Sequence, residues 1–420
     1  MKKSIYVCLM ISGLLLAGAS SLSAKLAFTP RLNLSEEYND NFFLDEKDEE
    51  KIFISNFSPG INIRYAPNRR LDFNLDYALD FRFHDRLNEY DLTDPEDIQL
   101  LSLKSQVRPA ERFYIDVSDV FEKVPIDVRR RTVEGNPLVN KTSSNVFIIS
   151  PALTIPLTSS ISTALGYSFN STWYDVEEAL DYYSHSASLT LSKKFSGKIT
   201  GALKYNYYAY RVGLEPVQVP VGDYDRHDAS VLISYQASPR LRFSGEAGRS
   251  RFKFDVSDDS NANFYNVMAE LKSGSTDDIV SRIYYAETFH DAATTGTYER
   301  KDASILLRMD RPLNFTVRPY YIVDKYLSQD REDKLTGVTA DIKRPLSERT
   351  DIVLGGSYEK QRFIPEGEKA VQFDARWDFN YRVTEKMTAG LGYRYAGRNS
   401  NVDTTDFKNN IVVISAKVSF

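Results

Sequence analysis

The chain has little cysteine and little histidine, with one cysteine and four histidines in 420 residues. The cysteine is Cys8, close to the N-terminus, so the rest of the chain cannot form a disulfide, an iron–sulfur site or a thiolate-bound zinc site. We therefore expect neither a metal nor a cofactor. A net charge of −5 also makes nucleic acid an unexpected partner.

Long apolar runs are absent beyond the N-terminus, which excludes a helical membrane protein. The N-terminus itself has Lys2 and Lys3, an apolar core from Ile5 to Leu16, and small residues at 17–19 and 23–24. This is the pattern of a secretory signal peptide. We predict cleavage after Ala24, with residue 19 as the alternative. Residues 1–24 are then a signal peptide, and residues 25–420 form a single domain.

Aromatic residues are abundant, with 27 Tyr, 24 Phe and 2 Trp making up 13% of a rather polar chain. An exported chain of this kind is either a soluble β-protein or an outer-membrane barrel. A barrel accounts for both properties, because its lipid-facing surface is apolar with aromatic girdles while its lumen is polar. We therefore expect a location in the outer membrane of a Gram-negative bacterium, surrounded by lipid and lipopolysaccharide.

Strict alternation of apolar and polar residues supports the barrel. From Leu71 to His84, apolar residues fall on one face and mostly polar residues on the other, and the pattern recurs from Val371 to Arg382. A period of two over this length predicts β-strands. Strands of soluble sandwiches are usually about half as long.

Short connections rich in Pro, Gly and Ser recur at near-regular intervals, around Pro67, Pro109, Pro156, Gly197, Pro239, Gly274, Pro312, Pro345 and Thr384. Propeller blades would need four short strands per repeat. Here each interval holds two long strands and one polar loop, such as Asp85–Asp97, Glu122–Ser143 or Val212–Asp223. The fold class is therefore all-β, a transmembrane antiparallel up-and-down β-barrel with short periplasmic turns and longer extracellular loops.

Counting strands gives 20, beginning with strands at Arg31–Phe43 and Phe53–Ala66. The alternation fails at Arg249–Phe254, where the charged residues fall on the lipid-facing side. This stretch is either a strand that projects above the membrane or a β-bulge. Because the boundaries of this strand are then ambiguous, a count of 18 strands is the alternative to 20.

The last strand ends with Val412, Ile414, Ala416, Val418 and Phe420 at alternate positions. This resembles the C-terminal signal of bacterial outer-membrane proteins, which implies the barrel-assembly machinery as a partner and Phe420 as the assembly signal. An ordinary edge strand of this kind would be prone to aggregation.

The start of the predicted domain carries a second resemblance, in residues 34–41 (LSEEYNDN), 58–60 (SPG) and 71–77 (LDFNLDY). These segments resemble a β-barrel porin family that includes members associated with PEP-CTERM and exopolysaccharide loci. The similarity covers about the first hundred residues. It implies an outer-membrane barrel near polysaccharide export, with polysaccharide-export proteins as partners, and transfers no catalytic residue.

Twenty strands give a barrel with a diameter of about 40 Å, which side chains alone cannot fill. The lumen must hold water, an inserted loop or another chain. Charged residues of both signs are expected to line it, either pairing across strands or selecting solutes. These candidates are Asp72, Asp76, Asp80, Arg82, Lys104, Arg108, Arg308, Arg318, Asp374, Arg376, Asp378 and Arg382.

Two further features of the lumen are expected. Inward-facing Tyr208, Tyr284 and Tyr320 either stack on sugar rings or pack on their neighbours. The loop Glu122–Ser143 carries Arg129, Arg130 and Arg131. It is either a constriction folded into the lumen or a solvated extracellular loop.

A hydrolase is the least favoured class. Most barrel hydrolases need a histidine beside a nucleophile or an acid. Alternation turns His185 and His227 outward, and it leaves His84 and His290 on opposite walls, too far apart to share a site. His84 beside Asp80 or Asp85 is the remaining enzyme alternative. We expect a porin-like channel passing polar solutes or exopolysaccharide, with a scaffold barrel of a polysaccharide-export assembly as the second hypothesis.

Overall fold

The structure is a computed structural model that describes residues 26–47, 49–125, 141–176, 179–213, 222–255, 258–273, 278–292, 296–311, 313–327, 330–402 and 405–420. Across these ranges the chain is almost entirely antiparallel sheet. Its one α-helix there, α1 (Pro95–Ile98), is a single turn. None of the helices in these ranges is long and apolar enough to cross a membrane.

The strands follow one another around a single sheet. Apart from one strand that is interrupted, each pairs with the strand before it and the strand after it. In chain order they are β1 (Leu26–Asn39), β2 (Ile52–Asn68), β3 (Leu71–Leu79), β4 (Phe81–His84), β5 (Gln99–Ala110), β6 (Phe113–Pro125), β7 (Lys141–Pro156), β8 (Ile161–Tyr174), β9 (Tyr182–Lys194), β10 (Ile199–Val212), β11 (Tyr224–Ser238), β12 (Leu241–Phe254), β13 (Ser260–Ser273), β14 (Ile279–Ala292), β15 (Gly296–Met309), β16 (Asn314–Tyr326), β17 (Glu332–Pro345), β18 (Thr350–Ile364), β19 (Lys369–Arg382), β20 (Met387–Ser400) and β21 (Phe407–Ser419).

The sheet closes into a barrel because β1 also pairs with β21, from Arg31↔Ser419 to Asn39↔Ile411. The backbone N–H of Phe420 donates to the carbonyl of Pro30. β3 and β4 are two parts of one spanning strand, interrupted at Asp80, since both pair with β2. The barrel therefore has 20 spanning strands, and the expected count is confirmed over 18.

The connections differ at the two ends of the barrel. At the turn end, which holds the start of β1, residues 69–70, 111–112 and 239–240 suffice to reverse the chain. Hydroxyls stabilise several of these turns by accepting backbone N–H groups, as Ser196 does from Lys198 and Ile199. At the loop end the connections are longer, such as residues 40–51 and 85–98.

The first strand begins and ends earlier than the alternation predicts, at Leu26–Asn39 rather than Arg31–Phe43. The prediction was wrong at the C-terminal end, because Phe42 leaves the strand and packs on Ile52 and Ile54. An apolar residue that continues the alternation looks like a strand residue from sequence, although it is buried in a folded loop.

The outer and inner faces of the wall follow the alternation. Large apolar side chains such as Leu203 (57% exposed), Ile233 (55%) and Ile283 (62%) lie on the outer face. Their alternates on the inner face are mostly polar, for example Lys204, which pairs with Glu246 at 3.0 Å. An apolar outside and a polar inside is the arrangement of a membrane barrel.

At the loop end this distribution reverses on β10–β12. Tyr210, Tyr224 and Phe252 face inward and form a buried cluster, while Arg249 and Arg251 face outward. The ladder between β11 and β12 is regular from Tyr224↔Phe254 to Gln236↔Arg242, so the bulge alternative for residues 249–254 is wrong. Inward aromatic and outward charged residues are those expected of a strand that extends beyond the membrane.

Candidate functional site: the barrel lumen

The predicted lumen charges on β3 and β4 lie on the inner face and are paired. Arg31 on β1 donates to Asp76, with Nη1 2.6 Å from Oδ2. The Arg82 Nε atom donates to Asp80 at 2.9 Å, and Asp72 lies 3.8 Å from Arg64. Pairing across strands stiffens this part of the wall and leaves little net charge.

Lys104 on β5 lines an open recess of about 800 Å³, together with Arg64, Asp72 and Asp116 from neighbouring strands, and Arg108 lies farther along the same strand. The Arg108 Nε donates to Gln106, whose amide in turn donates to Asp116. Lys104 is exposed to this space. Both signs of charge are therefore within reach of a solute at this wall.

On β15–β17 the predicted cations again pair with carboxylates. Arg308 lies 3.2 Å from Asp310, and Arg318 donates to Asp302 at 2.5 Å. A carboxylate on β17, Asp341, accepts from Arg376 on β19 at 2.7 Å. The opposite charges are spread along the wall, which argues against strong selection for ions of one sign.

The other three predicted lumen residues on β19 differ in their surroundings. Asp374 accepts from Ser357 at 3.0 Å. Asp378 lies opposite Gly392, where the missing side chain leaves it room. Arg382 lines a recess of about 480 Å³ at the turn end. These positions are on the inner face of the wall, and their roles in lining the pathway and in solute selection stay predictions.

The predicted tyrosines face the lumen, but two of them have acidic partners. The Tyr320 hydroxyl donates to Glu359 at 2.5 Å, and the Tyr208 hydroxyl donates to Asp291 at 2.9 Å. Tyr284 is half-buried opposite Ser304. Sugar stacking stays a prediction for the three. Arg129, Arg130 and Arg131 lie outside the described residues, so the constriction role of their loop also stays a prediction.

A hairpin that the sequence did not indicate reaches across the inner face at the loop end. The ladder between β13 and β14 ends at Asn266↔Ala286, whereas β14 and β15 stay paired to Ala292↔Gly296. At the branch point, the Glu287 carboxylate accepts the N–H of Tyr265, and the Asn266 side chain accepts the N–H of Glu287. Side chains thus replace the missing ladder bonds. We call residues 287–291 and 297–299 the hairpin tip.

Asp291 anchors the hairpin tip to strands of the adjoining part of the wall. It accepts hydrogen bonds from Tyr208 at 2.9 Å, Tyr224 at 2.8 Å and Thr297 at 2.7 Å. Tyr208 and Tyr224 belong to β10 and β11, so the bonds span the intervening β12 and β13. Hydrogen bonds to a charged acceptor each contribute roughly 1.5–3 kcal/mol. Asp291 therefore holds the hairpin tip against the inner wall.

Aromatic packing supports the same contact. Phe289 of the hairpin tip meets Phe252 edge-on at 4.8 Å between ring centroids. The Arg226 guanidinium lies 4.9 Å from the ring centroid of Tyr208 and 5.5 Å from that of Phe289. Arg226 is itself paired with Asp228 at 3.1 Å. The guanidinium thus bridges the wall and the hairpin tip by cation–π contacts.

The first loop is folded inward on the other side of the barrel. Asn409 donates to the Asn39 side chain at 3.0 Å and to the Asn41 carbonyl at 2.6 Å, and the three side chains are fully buried. Beyond them, Leu44 packs on Phe407 and Ile411 of the inner face. We call residues 40–47 the first-loop insert. It packs on the inner face of β20 and β21, half the circumference from the β11 contact of the hairpin tip.

Glu368, in the connection between β18 and β19, stabilises the rim of the loop end. It accepts from Arg398 at 2.9 Å, Ser400 at 3.0 Å and Thr405 at 3.1 Å. Burial acts to raise the pKa of Glu368, but these bonds outweigh burial and hold the pKa below its ordinary value.

The histidines are bound by neighbouring side chains. His84 is buried, with its Nδ1 3.3 Å from Asp91 and its ring against Phe42. Its acidic neighbour is therefore Asp91 rather than Asp80 or Asp85. The Nδ1 atom of His185 lies 2.6 Å from the hydroxyl of the outward-facing Tyr167, and the Nδ1 atom of His227 lies 2.8 Å from that of the outward-facing Tyr205. Within the described ranges, no group of three or more potential ligands is arranged to hold a metal ion.

Comparisons with known proteins agree with this architecture. No protein-family model and no curated protein matches the chain. Among solved structures, it is similar to the FrpB iron transporter from Neisseria meningitidis, with a TM-score of 0.53 at 8% identity, covering 94% of this chain and 82% of that one.

Two further solved structures give lower scores. The siderophore receptor PirA from Pseudomonas aeruginosa has a TM-score of 0.48 at 10% identity, covering 94% of this chain and 80% of that one. OccK2 (OpdF) from the same organism has a TM-score of 0.45 at 9% identity, covering 94% and 98%. At these identities a likeness shows the fold alone. The closed 20-stranded sheet and the likeness to the FrpB transporter give the chain the fold of an outer-membrane transmembrane β-barrel.

Proposed function

We propose that this barrel is an outer-membrane channel for polar solutes, and that its mouth is narrowed from two sides by the hairpin tip and the first-loop insert. The observation that carries the proposal is the anchoring of the hairpin tip by Asp291 across the inner face. A wall of 20 strands encloses more space than its side chains fill. An inward-folded segment would turn such a wide opening into a passage with a defined cross-section.

The lining supports passage of polar rather than strongly charged solutes. Carboxylates and cations alternate along the wall and pair with one another, as Arg31 does with Asp76 and Arg376 with Asp341. A polar solute would exchange hydrogen bonds with this lining and with water. Exopolysaccharide as the solute, and polysaccharide-export proteins as partners, remain finer predictions within this proposal.

Planar-bilayer recording of the purified protein at about 1 M salt tests the proposal, since long-range charge effects are then screened. Asp291→Ala removes the acceptor of three hydroxyls and should release the hairpin tip, raising single-channel conductance and admitting larger neutral saccharides. The matched control is Asp310→Ala, which removes a carboxylate at the turn end and should leave conductance unchanged.

Two results would contradict the proposal. Equal conductance of Asp291→Ala and the parent protein would show that the hairpin tip does not limit flow. No conductance in any form would instead favour the scaffold hypothesis, in which the barrel binds a periplasmic partner and passes nothing by itself.

A further inference from the structure

Three cations lie side by side across neighbouring strands on the outer face at the loop end. Lys334 on β17 is directly opposite Arg362 on β18, and Arg362 is directly opposite Lys369 on β19. They face outward, because Tyr358 and Phe373 occupy the same alternate positions on β18 and β19 and are 40% and 45% exposed. We call Lys334, Arg362 and Lys369 the cationic row.

Such a row is unfavourable by itself, since like charges directly opposite each other destabilise a sheet. Lys334 has a carboxylate partner, Glu332, at 2.8 Å. Within the described part of the chain, no carboxylate forms an ion pair with Arg362, Lys369 or the neighbouring outward-facing Lys360. The surface therefore keeps a net positive charge that a bound anion would neutralise.

The position of the cationic row relative to the membrane interface indicates the source of that anion. Along β18 the outward residues pass from Leu354 to Tyr358 and then to Lys360 and Arg362. Arg362 is four residues beyond Tyr358, about 13 Å along the strand. Outward aromatic residues mark the membrane interface in β-barrels. The row thus lies beyond the hydrocarbon region, at the level of lipid headgroups.

We propose that the cationic row, together with Lys360, binds a phosphorylated lipid headgroup of the leaflet that surrounds the loop end. Arginine suits this role because its planar guanidinium binds phosphate through two parallel hydrogen bonds. Two strand spacings give the row a width of about 10 Å. A glycolipid that carries two phosphates on one headgroup matches this spread of charge better than a single free phosphate.

Native mass spectrometry of the purified full-length protein, titrated with bisphosphorylated lipid A, tests the proposal. The triple variant Lys360→Gln/Arg362→Gln/Lys369→Gln should bind the lipid on the order of a hundredfold more weakly, from a factor of roughly five per cation. Dephosphorylated lipid A should bind the parent protein and the variant equally weakly.

The chain offers a matched control on β12, where Arg249, Arg251 and Lys253 also face outward at the loop end. These cations lie along one strand rather than across three, and Arg251 has Asp259 at 3.6 Å. The variant Arg249→Gln/Arg251→Gln/Lys253→Gln changes the net charge equally and should keep most of the binding. Equal loss in both variants would show only a general surface-charge effect and overturn the proposal.

A stability measurement separates binding from a structural role. In lipid-free detergent, Arg362→Gln removes two like-charge contacts, so its unfolding midpoint should equal or exceed that of the parent protein. The rise in midpoint on adding lipid A should shrink in the variant. The proposal fails if the rise is unchanged, if dephosphorylated lipid A produces it as well, or if inorganic phosphate at the same concentration produces it.

Discussion

Charge should be tolerated in the lumen and rejected on the lipid face, and β9 offers two adjacent residues for the comparison. Leu189 faces outward near the middle of the strand and is 43% exposed, with Leu165 and Tyr205 as its cross-strand neighbours. Ser188 faces inward, with Gly166 and Asn206 beside it. The two positions lie on opposite faces of the wall, but their depths in the membrane are nearly the same.

Leu189→Arg places a guanidinium among apolar neighbours at the level of the lipid tails, which costs roughly 2–4 kcal/mol near the midplane. Ser188→Arg places the same group in the lumen, where Gly166 leaves space and water can solvate the charge. Its cost should be below about 1 kcal/mol, as for ordinary exposed substitutions.

Urea unfolding in phospholipid vesicles measures both costs, with the heat-modifiable gel shift as a check on folding. The difference between the variants is the informative quantity, because effects on the unfolded chain largely cancel. Equal destabilisation of Leu189→Arg and Ser188→Arg would refute the assignment of inner and outer faces.

Three other predictions concern assembly, the loop and acid sensitivity. Deletion of Phe420 should sharply reduce heat-modifiable, protease-resistant barrel in outer-membrane fractions, and normal amounts would refute its role as the assembly signal. Replacement of residues 126–140 by a short Gly/Ser linker should raise conductance if that loop narrows the lumen and leave it unchanged if the loop is solvated. Because its pKa is lowered, Glu368 should stabilise the barrel above its ordinary pKa of 4.5 and lose this contribution as pH falls through the lower folded value. Glu368→Gln should therefore flatten the dependence of the urea midpoint on pH below about 4.5, and an unchanged slope would contradict the reasoning.

The parts of the fold that follow from local pattern were predictable. Alternation along β3 and β19 assigns residues such as Asp76 and Arg376 to the lumen face, because successive side chains of any strand point to opposite sides. The turns near Gly197, Pro239 and Thr384 were found within a few residues for a similar reason. Hydroxyl and glycine-containing turns have their own chemistry, independent of what lies across the barrel.

The failure of alternation at Arg249–Phe254 was the one feature of the sequence that indicated the unusual structure at the loop end of the barrel. Inward Phe252 and outward Arg251 reverse the pattern of the membrane-spanning part, and the reversal is real rather than a slip of register. The signal did not identify what Phe252 packs against, since Phe289 is distant in sequence.

By itself the sequence determined the class of fold and the two faces of the wall, because these depend on a period of two and on where the chain turns, whereas the choice of 20 strands over 18 needed the structure. Only the tertiary structure decided how the mouth is narrowed and where cations from different strands adjoin. Asp291 meets Tyr208 and Tyr224, and Lys334 meets Arg362, through pairings that depend on ladder register and on the point where β14 leaves β13. A local periodicity carries no information about either, since the same alternation fits a strand in the wall and a strand folded across the lumen.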